Sequence, residues 1–513
     1  FFFKPKPAYA MLRSLVGSEM CIRDSLYGVA SSNVTVERAN PYLGVQDIEI
    51  EWSNSFTTGK AWYYTLPETL DLSAFQRISF RYRASNQTAD AQTSHISIKL
   101  CTDTIGDVVA HTMSIPGFKP ELLIASITSL FFSASAFAEE IKIGIILGFT
   151  GPIESLTPAM AQGAEAAIAE VSASGQLLSG STVTAVRADS TCIDSAVASA
   201  NAEKLITSDK VNGIMGADCS GVTGAILANV AMANGMVMIS PSATSPGLST
   251  VEDNGLFFRT APSDARQGEI MSNVLMDKGI TSVAVSYTNN DYGKGLADAF
   301  QAAYEANGGS VTINAAHEEG KADYSSEVGA LASAGGQALV VAGYIDGAGK
   351  NVTQGAIDTG AFDLFLFPDG MIGDNLETLG ADINGSMGTV PGLDPSNPAA
   401  SAMAKIGEAG GFAGGDAFVG ESYDAAALML LAMASAKSSD PQVYKDHIMK
   451  VANGPGEKIY PGELSKGIKL ASYGVAIDYV GASSVSLIGP GEAAGNFREI
   501  EIQNGKMVDV NYR

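Results

Sequence analysis

Cysteine, histidine and tryptophan are scarce here: four, four and two among 513 residues. Four cysteines are too few for a disulfide-built scaffold. The histidines show no metal-ligand spacing, and His317 and His447, the two in the C-terminal part, lie far apart in polar settings. Positive charge is also in short supply. Lys and Arg number 31 against 55 Asp and Glu, a formal net charge of −24. Binding nucleic acid needs cations that displace condensed counterions, and anionic lipid attracts the same sign, so both classes of partner are disfavoured. Long apolar runs are missing too. Ala425 to Ala434 is far short of the ~20 residues that span a bilayer. The 56 Gly and 19 Pro follow no collagen-like period.

What is present is uneven. Residues 1–138 hold 11 basic and 12 acidic side chains and both tryptophans, Trp52 and Trp62, whereas residues 139–513 hold 20 and 43. Two compositions suggest two origins. The seam is the stretch MSIPGFKPELLIASITSLFFSASAFA from Met113. Lys119 supplies a basic start, Leu122 to Phe132 an apolar run, and Ala136-Phe137-Ala138 a small-residue cleavage site. Residues 113–138 are therefore expected to be a cleavable signal peptide, with export to the periplasm and a mature start at Glu139. No cysteine follows the run, so a lipid anchor is not expected. A secretion signal is of no use behind 112 residues, so Met113 is the expected true start. Residues 11–25, MLRSLVGSEMCIRDS, resemble translated sequencing adapter, and 1–25 are expected to be an artefact. In 26–112, Ile78 to Arg83 and Ile96 to Leu100 alternate apolar and polar side chains, as half-buried strands do. The phrase LDLSAFQRISFRYRAS resembles jelly-roll carbohydrate-binding modules, which makes this piece a β-sandwich-like fragment. Trp52, Trp62, Tyr63 and Tyr64 there suit either sugar stacking or, more commonly, a sandwich core.

From residue 139 onward strands and helices alternate. Strand patterns cover Ile141–Phe149, Thr182–Ala188, Gly213–Ala217, Met236–Ser240, Phe257–Thr260, Ser282–Tyr287, Ser310–Ala315, Ala338–Ala342 and Leu364–Phe367. Helical patterns lie between them, the first at Pro158–Ser172 with Thr157 as N-cap. This spacing means βαβ units, parallel sheets and helices on both faces. About 375 residues exceed one such sheet, so two lobes are expected, with ligand bound beyond the C-terminal strand ends.

Nine fragments, in order, carry a resemblance: IKIGIILGFTGP (141–152), RADSTCID (187–194), GADCSGVTGA (216–225), ISPSATSPGLS (239–249), FRTAPSDARQG (258–268), NNDYGKGLADAF (289–300), VVAGYIDGAG (340–349), FPDGMIG (367–373) and IYPGELSKGIKLASYGVAIDYVGA (459–482). Together they resemble the substrate-binding receptors of branched-chain amino acid ABC transporters, the type I periplasmic-binding fold. The resemblance implies an α/β chain of two lobes, 139–261 plus 393–482 and 262–392 plus 483–513, joined by a hinge crossed near 261, 392 and 482. It implies an amino acid ligand in the cleft, an inner-membrane ABC permease as partner, a monomer, and no cofactor. Cys192 and Cys219 each follow a strand at one end of the same sheet, and the family often bridges them. A disulfide is the reading, against two free buried thiols.

By resemblance, Ser220 and Thr244 hold the ligand carboxylate, the Ser242 carbonyl accepts from its ammonium, Asp369 pairs with that ammonium, and Tyr292 and Tyr344 close over it. Without the family, the serines and threonine suit helix capping and the tyrosines edge packing. TGPIESLTPAMAQG lacks an aromatic residue near Ser155 or Leu156, which leaves leucine-like, small polar, acidic and amide ligands open. No enzyme is indicated. Ser240-Pro241-Ser242 is not a nucleophile elbow, and Gly347-Ala348-Gly349-Lys350-Asn351 has Tyr344 where a phosphate loop needs its first Gly. Two other classes fit: a ligand-sensing domain of the same fold, and a carbohydrate-binding fusion if 1–112 is genuine.

Overall fold

The computed structural model describes residues 140–513 throughout and, before them, the backbone of five strands. The chain divides into two units, Phe1–Ser135 and Ala136–Arg513. In the first, Asn33–Arg38 pairs antiparallel with Asp47–Ser53, which pairs parallel with Arg77–Tyr82. His95–Cys101 pairs antiparallel with Val109–Pro116. Strands thus stand where side chains alternate, but a parallel ladder is not a jelly-roll relation, since that fold is antiparallel. Met113 to Pro116, read as the start of a signal peptide, belong to the strand Val109–Pro116. The apolar run, the cleavage site and residues 1–25 lie outside the described residues.

The second unit begins with β1 (Glu140–Leu147), in which Ile141 and every residue from Ile143 to Leu147 are buried. A near-continuous apolar strand needs cover on both faces, as a central parallel strand has. It is flanked by β2 (Thr182–Asp189) and β3 (Gly213–Gly216). Next to β3 comes β4 (Met238–Ser240), then β5 (Phe257–Pro262). Helix α1 (Thr157–Ser174) follows β1 and α2 (Ser195–Thr207) follows β2. α3 (Ser220–Ile226) follows β3 and runs on through a π-helical turn, Leu227–Ala231. Asp194 caps α2 by accepting from Ala196 N and Val197 N at 3.0 and 3.1 Å. Thr157 does not cap α1. It is the first helical residue, and its Oγ1 donates to Gly148 O at 3.1 Å, tying the helix to the strand end instead.

After β5 the chain builds a second sheet. α4 (Asp264–Asp277) leads to β6 (Ser282–Thr288), α5 (Asp291–Ala306) to β7 (Ser310–His317), and α6 (Ser325–Ala334) to β8 (Ala338–Ala342). α7 (Ala348–Asp358) leads to β9 (Phe365–Phe367), followed by β10 (Met387–Pro391). β6 lies between β7 and β8, and β8, β9 and β10 continue in parallel. The chain then returns to the first sheet through α8 (Pro398–Gly410) and α9 (Val419–Ala436), the latter packed on α1. α9 is buried nearly all round, yet no helix among the described residues is long and apolar enough to cross a membrane. α10 (Pro441–Ala452), β11 (Glu457–Ile459), α11 (Leu464–Ser472) and β12 (Ile477–Tyr479) complete this lobe's outer layer, β11 and β12 pairing in parallel.

The third passage between lobes is later than expected. β13 (Leu487–Ile488) and β14 (Glu492–Ala493) form the edge of the first sheet, β14 pairing parallel with β5. Only β15 (Phe497–Gln503) and β16 (Lys506–Tyr512) join the second sheet, antiparallel beside β10. Residues 483–493 therefore belong with the first lobe, and the crossing falls between Ala493 and Phe497 rather than near 482. The result is two seven-stranded, mainly parallel sheets, in the orders β13-β14-β5-β4-β3-β1-β2 and β7-β6-β8-β9-β10-β15-β16.

Candidate functional site

In an open parallel sheet the loops at the C-terminal strand ends make the crevice. Here the loops after β1, β3 and β4 meet those after β6, β8 and β9. They line a narrow cavity of about 20 Å³, with Ile153, Leu156, Met160, Asp218, Cys219, Ser220 and Ser242 on one side. Tyr292, Tyr344, Asp369 and Gly370 line the other, with Phe418 beneath. Five of the six sequence-predicted residues thus reach one cavity. Thr244 is buried just behind it. A larger space of about 290 Å³ lies beyond Leu156, lined by Asp374, Asp416, Arg498 and Asp509 among others.

On the first-lobe wall, Ser220 opens α3, and its Oγ accepts from Ser245 N at 3.1 Å. Ser242 Oγ donates to Asp218 O at 3.1 Å. The Thr244 carbonyl accepts from Asp264 N at 2.9 Å, joining this loop to the first turn of α4. Thr244 Oγ1 and both carboxylate oxygens of Asp264 are buried and have no hydrogen-bond partner. A buried polar atom without a partner is costly, by ~1–3 kcal/mol for a neutral group and more for a charge. The Thr244 hydroxyl lies close enough to the Asp264 carboxyl to favour its ionised form, and the two make this spot rich in acceptors. Below them Arg259, 1% exposed, donates from Nη1 to the carbonyls of Ala243 and Ser245 at 3.0 and 2.9 Å. Its Nη2 donates to Ser249 Oγ at 2.7 Å and Glu492 Oε2 at 2.5 Å. One guanidinium therefore fixes the loop after β4 to strand β14.

On the second-lobe wall, Tyr292 OH donates to Asp369 Oδ1 at 2.6 Å and accepts from Gly370 N at 3.1 Å. The Tyr344 ring stacks on Tyr292, centroids 5.1 Å apart. Asn290 caps α5 by accepting from Gly293 N at 2.9 Å, and its Nδ2 donates to Tyr344 OH at 3.3 Å. Burial raises the Asp369 carboxyl to about 6, against the Tyr292 hydrogen bond that favours its ionised form. Burial lifts Asp264 well above its ordinary value. The Asp369 charge adds to this, and Arg259 opposes it. Burial also raises Asp218, which accepts from Gly148 N at 2.6 Å and Ser190 Oγ at 2.8 Å. Tyr292 and Tyr344 are held neutral by burial.

Cys192 and Cys219 form a disulfide, Cα atoms 5.1 Å apart, and Cys219 lines the cavity. The reading of the sequence passed over Asp218, Asp264 and Arg259, although GADCSG and FRTAPSDARQG contain them. A strand-end Asp looks like a cap, but Arg259 inside an otherwise apolar strand was a usable signal. Phe418, Ile153 and Met160, which make the cavity's apolar side, carried none beyond hydrophobicity. Among the described residues no group of three or more His, Cys, Asp or Glu is placed to hold a metal ion.

Two mainly parallel lobes with a buried, polar-walled cavity between strand ends define a bilobal solute-binding architecture. Residues 140–451 match the model of the periplasmic binding protein family, and the chain belongs to that family. It is 30% identical over 279 residues to Leu/Ile/Val-binding protein homolog 3 of Brucella melitensis biotype 1, covering 54% of this chain and 74% of that protein. The fold is also that of the leucine-binding protein LivK of Thermotoga maritima (TM-score 0.61, 23% identity, 72% of this chain and 98% of that one). A solute-binding protein of an R. palustris ABC transporter, solved with benzoate, shares it as well (TM-score 0.58, 18% identity, 73% and 96%).

Proposed function

We propose that this chain is the extracytoplasmic receptor of an ABC importer, binding a small aliphatic α-amino acid between its lobes and presenting it to an inner-membrane permease. The observation that carries the ligand class is the pair of buried carboxyls Asp264 and Asp369, close enough to repel each other. An ammonium brings three N–H donors and a positive charge to that spot. Ser220, at the N-terminal end of a helical stretch with free N–H groups, and Thr244 take the carboxylate. Asp369, Asp264 and the Ser242 carbonyl take the ammonium, while Tyr292 and Tyr344 close over the head group. Ile153, Leu156, Met160 and Phe418 offer an apolar wall to the side chain, which suits a branched aliphatic group. A ligand with a carboxylate and no ammonium, such as benzoate, would add negative charge beside two buried aspartates and is disfavoured.

Binding, not catalysis, is the activity in this reading. The receptor works in the periplasm as a monomer, exported by residues 113–138 and cut after Ala138. Calorimetric titration with the twenty amino acids, then amides, simple carboxylates and sugars, tests it. Micromolar or tighter binding of Leu, Ile or Val is expected. Binding of a sugar or a simple carboxylate with no amino acid binding would overturn it.

A further inference from the structure

Away from the head-group contacts, the two lobes touch through a small hydrogen-bonded junction. Asp346 follows β8 in the second lobe, and its N–H donates to Pro152 O in the loop after β1 of the first lobe at 2.9 Å. The carboxylate reaches back: Ser155 N donates to Asp346 Oδ2 at 2.8 Å. Asn375, also of the second lobe, donates from Nδ2 to Oδ1 at 2.5 Å and holds the carboxylate in that pose. Gly347 is packed between the Glu319 carboxylate of its own lobe and Pro152 of the other, an added Cβ coming within 2.7 Å of the proline Cβ.

We propose that Asp346 is a closure latch, a positioning residue that never touches the ligand and sets how long it stays bound. This rests on the reading of the cavity as the ligand site. The two cross-cleft bonds join loops of different sheets, so neither serves the fold of a single lobe. They exist only when the cleft is shut, and Asp346 is partly exposed even then. With the cleft open, the Ser155 N–H and the carboxylate both return to water. Interactions made only after encounter govern escape rather than capture. They bias the closed state by as much as they differ between the two states.

The test uses the full chain with L-leucine as probe. Isotope chase gives the dissociation rate, and calorimetry gives Kd. Asp346→Ala should speed dissociation roughly tenfold, for one lost cross-cleft hydrogen bond to a charged acceptor, with association within twofold of wild type and an unchanged melting temperature without ligand. Asp346→Asn, which keeps an acceptor for Ser155 N–H, should recover part of the residence time. Hydrogen exchange at the residue-346 amide, which the substitution leaves in place, should lose protection in Asp346→Ala. Unchanged dissociation, or an affinity loss carried by slower association, overturns the latch. If wild type binds no leucine, the ligand reading fails. Exchange at residue 346 in the ligand-free protein then decides alone: lost protection in Asp346→Ala supports the latch, and unchanged protection refutes it.

Discussion

Asp264→Asn should make the ligand-free protein more stable and the receptor worse. Asp264 is 0% exposed, and both its oxygens lack partners. Its neighbours are Arg259, already engaged by two carbonyls, Ser249 and Glu492, and the like-charged Asp369. Burial holds both aspartates above the ordinary carboxylate range. A carboxyl whose folded pKa is raised stabilises the fold below its unfolded value, near 4, and that contribution is lost as pH rises, for Asp369 through about 6. A tenfold change in how tightly a carboxyl holds its proton corresponds to about 1.4 kcal/mol. The neutral amide removes one of two repelling charges, so we expect a gain of ~1–3 kcal/mol near pH 7–8, fading toward pH 4. Using an unfolding entropy of ~2 cal/mol/K per residue over about 375 residues, this is ~1–4 °C in Tm. Binding should move the other way. An ammonium that loses one charged acceptor forfeits ~1.5–3 kcal/mol, about ten- to a hundredfold in Kd. Scanning calorimetry from pH 4 to 8 and titration with leucine measure both. A lower Tm at every pH together with unchanged affinity would refute the assignment of Asp264 as a ligand acceptor held under strain.

Arg259→Ala should cost ~3–5 kcal/mol, because it leaves Glu492 and two carbonyls without their buried cation, and urea unfolding would show it as a lower midpoint. His317 is buried, its Nδ1 lies 2.8 Å from Ser286 Oγ, its Nε2 has no partner, and burial lowers it to about 4. Its neutral form favours the fold above pH 6.5. That contribution is lost as pH falls from 6.5 to about 4, so His317→Gln should flatten this limb of the stability–pH curve. Cys192→Ser with Cys219→Ser should lower stability by ~3 kcal/mol for a loop of 27 residues, with thermal unfolding plus and minus reductant as the measurement. Asp369→Ala should abolish micromolar amino acid binding in calorimetry, since it removes a charged partner of the ammonium and leaves Tyr292 OH without its acceptor.

The alternation of strands and helices was legible because the helices and most strands are long enough to show a period. β8 falls on the residues read from sequence, and most other strand ends differ by one or two. The last crossing was not legible: β13 and β14 are two residues each, too short for any pattern, and only pairing with β5 assigns them to a lobe. In the site, Ser220, Ser242, Tyr292, Tyr344 and Asp369 were reached through family resemblance, since no spacing rule links Ser220 to Asp369. Asp264 stayed hidden because an aspartate behind a serine cap resembles ordinary first-turn charge, and what separates it is the absence of partners, which only packing reveals. Asp346 was equally silent, because its partners lie 191 residues earlier and 29 later.

The late crossing also bears on how the chain reaches its folded state. β14 pairs with β5 some 230 residues upstream (Arg259 with Glu492), and β15 closes against β10 about 110 residues upstream (Met387 with Glu501). Both sheets thus receive strands from the last thirty residues, and Arg259 stays a buried cation without its carboxylate until Glu492 arrives. Neither sheet is complete before residues 487–512 have been made. Such non-local closure slows folding and leaves both sheets open-edged until residues 487–512 are available.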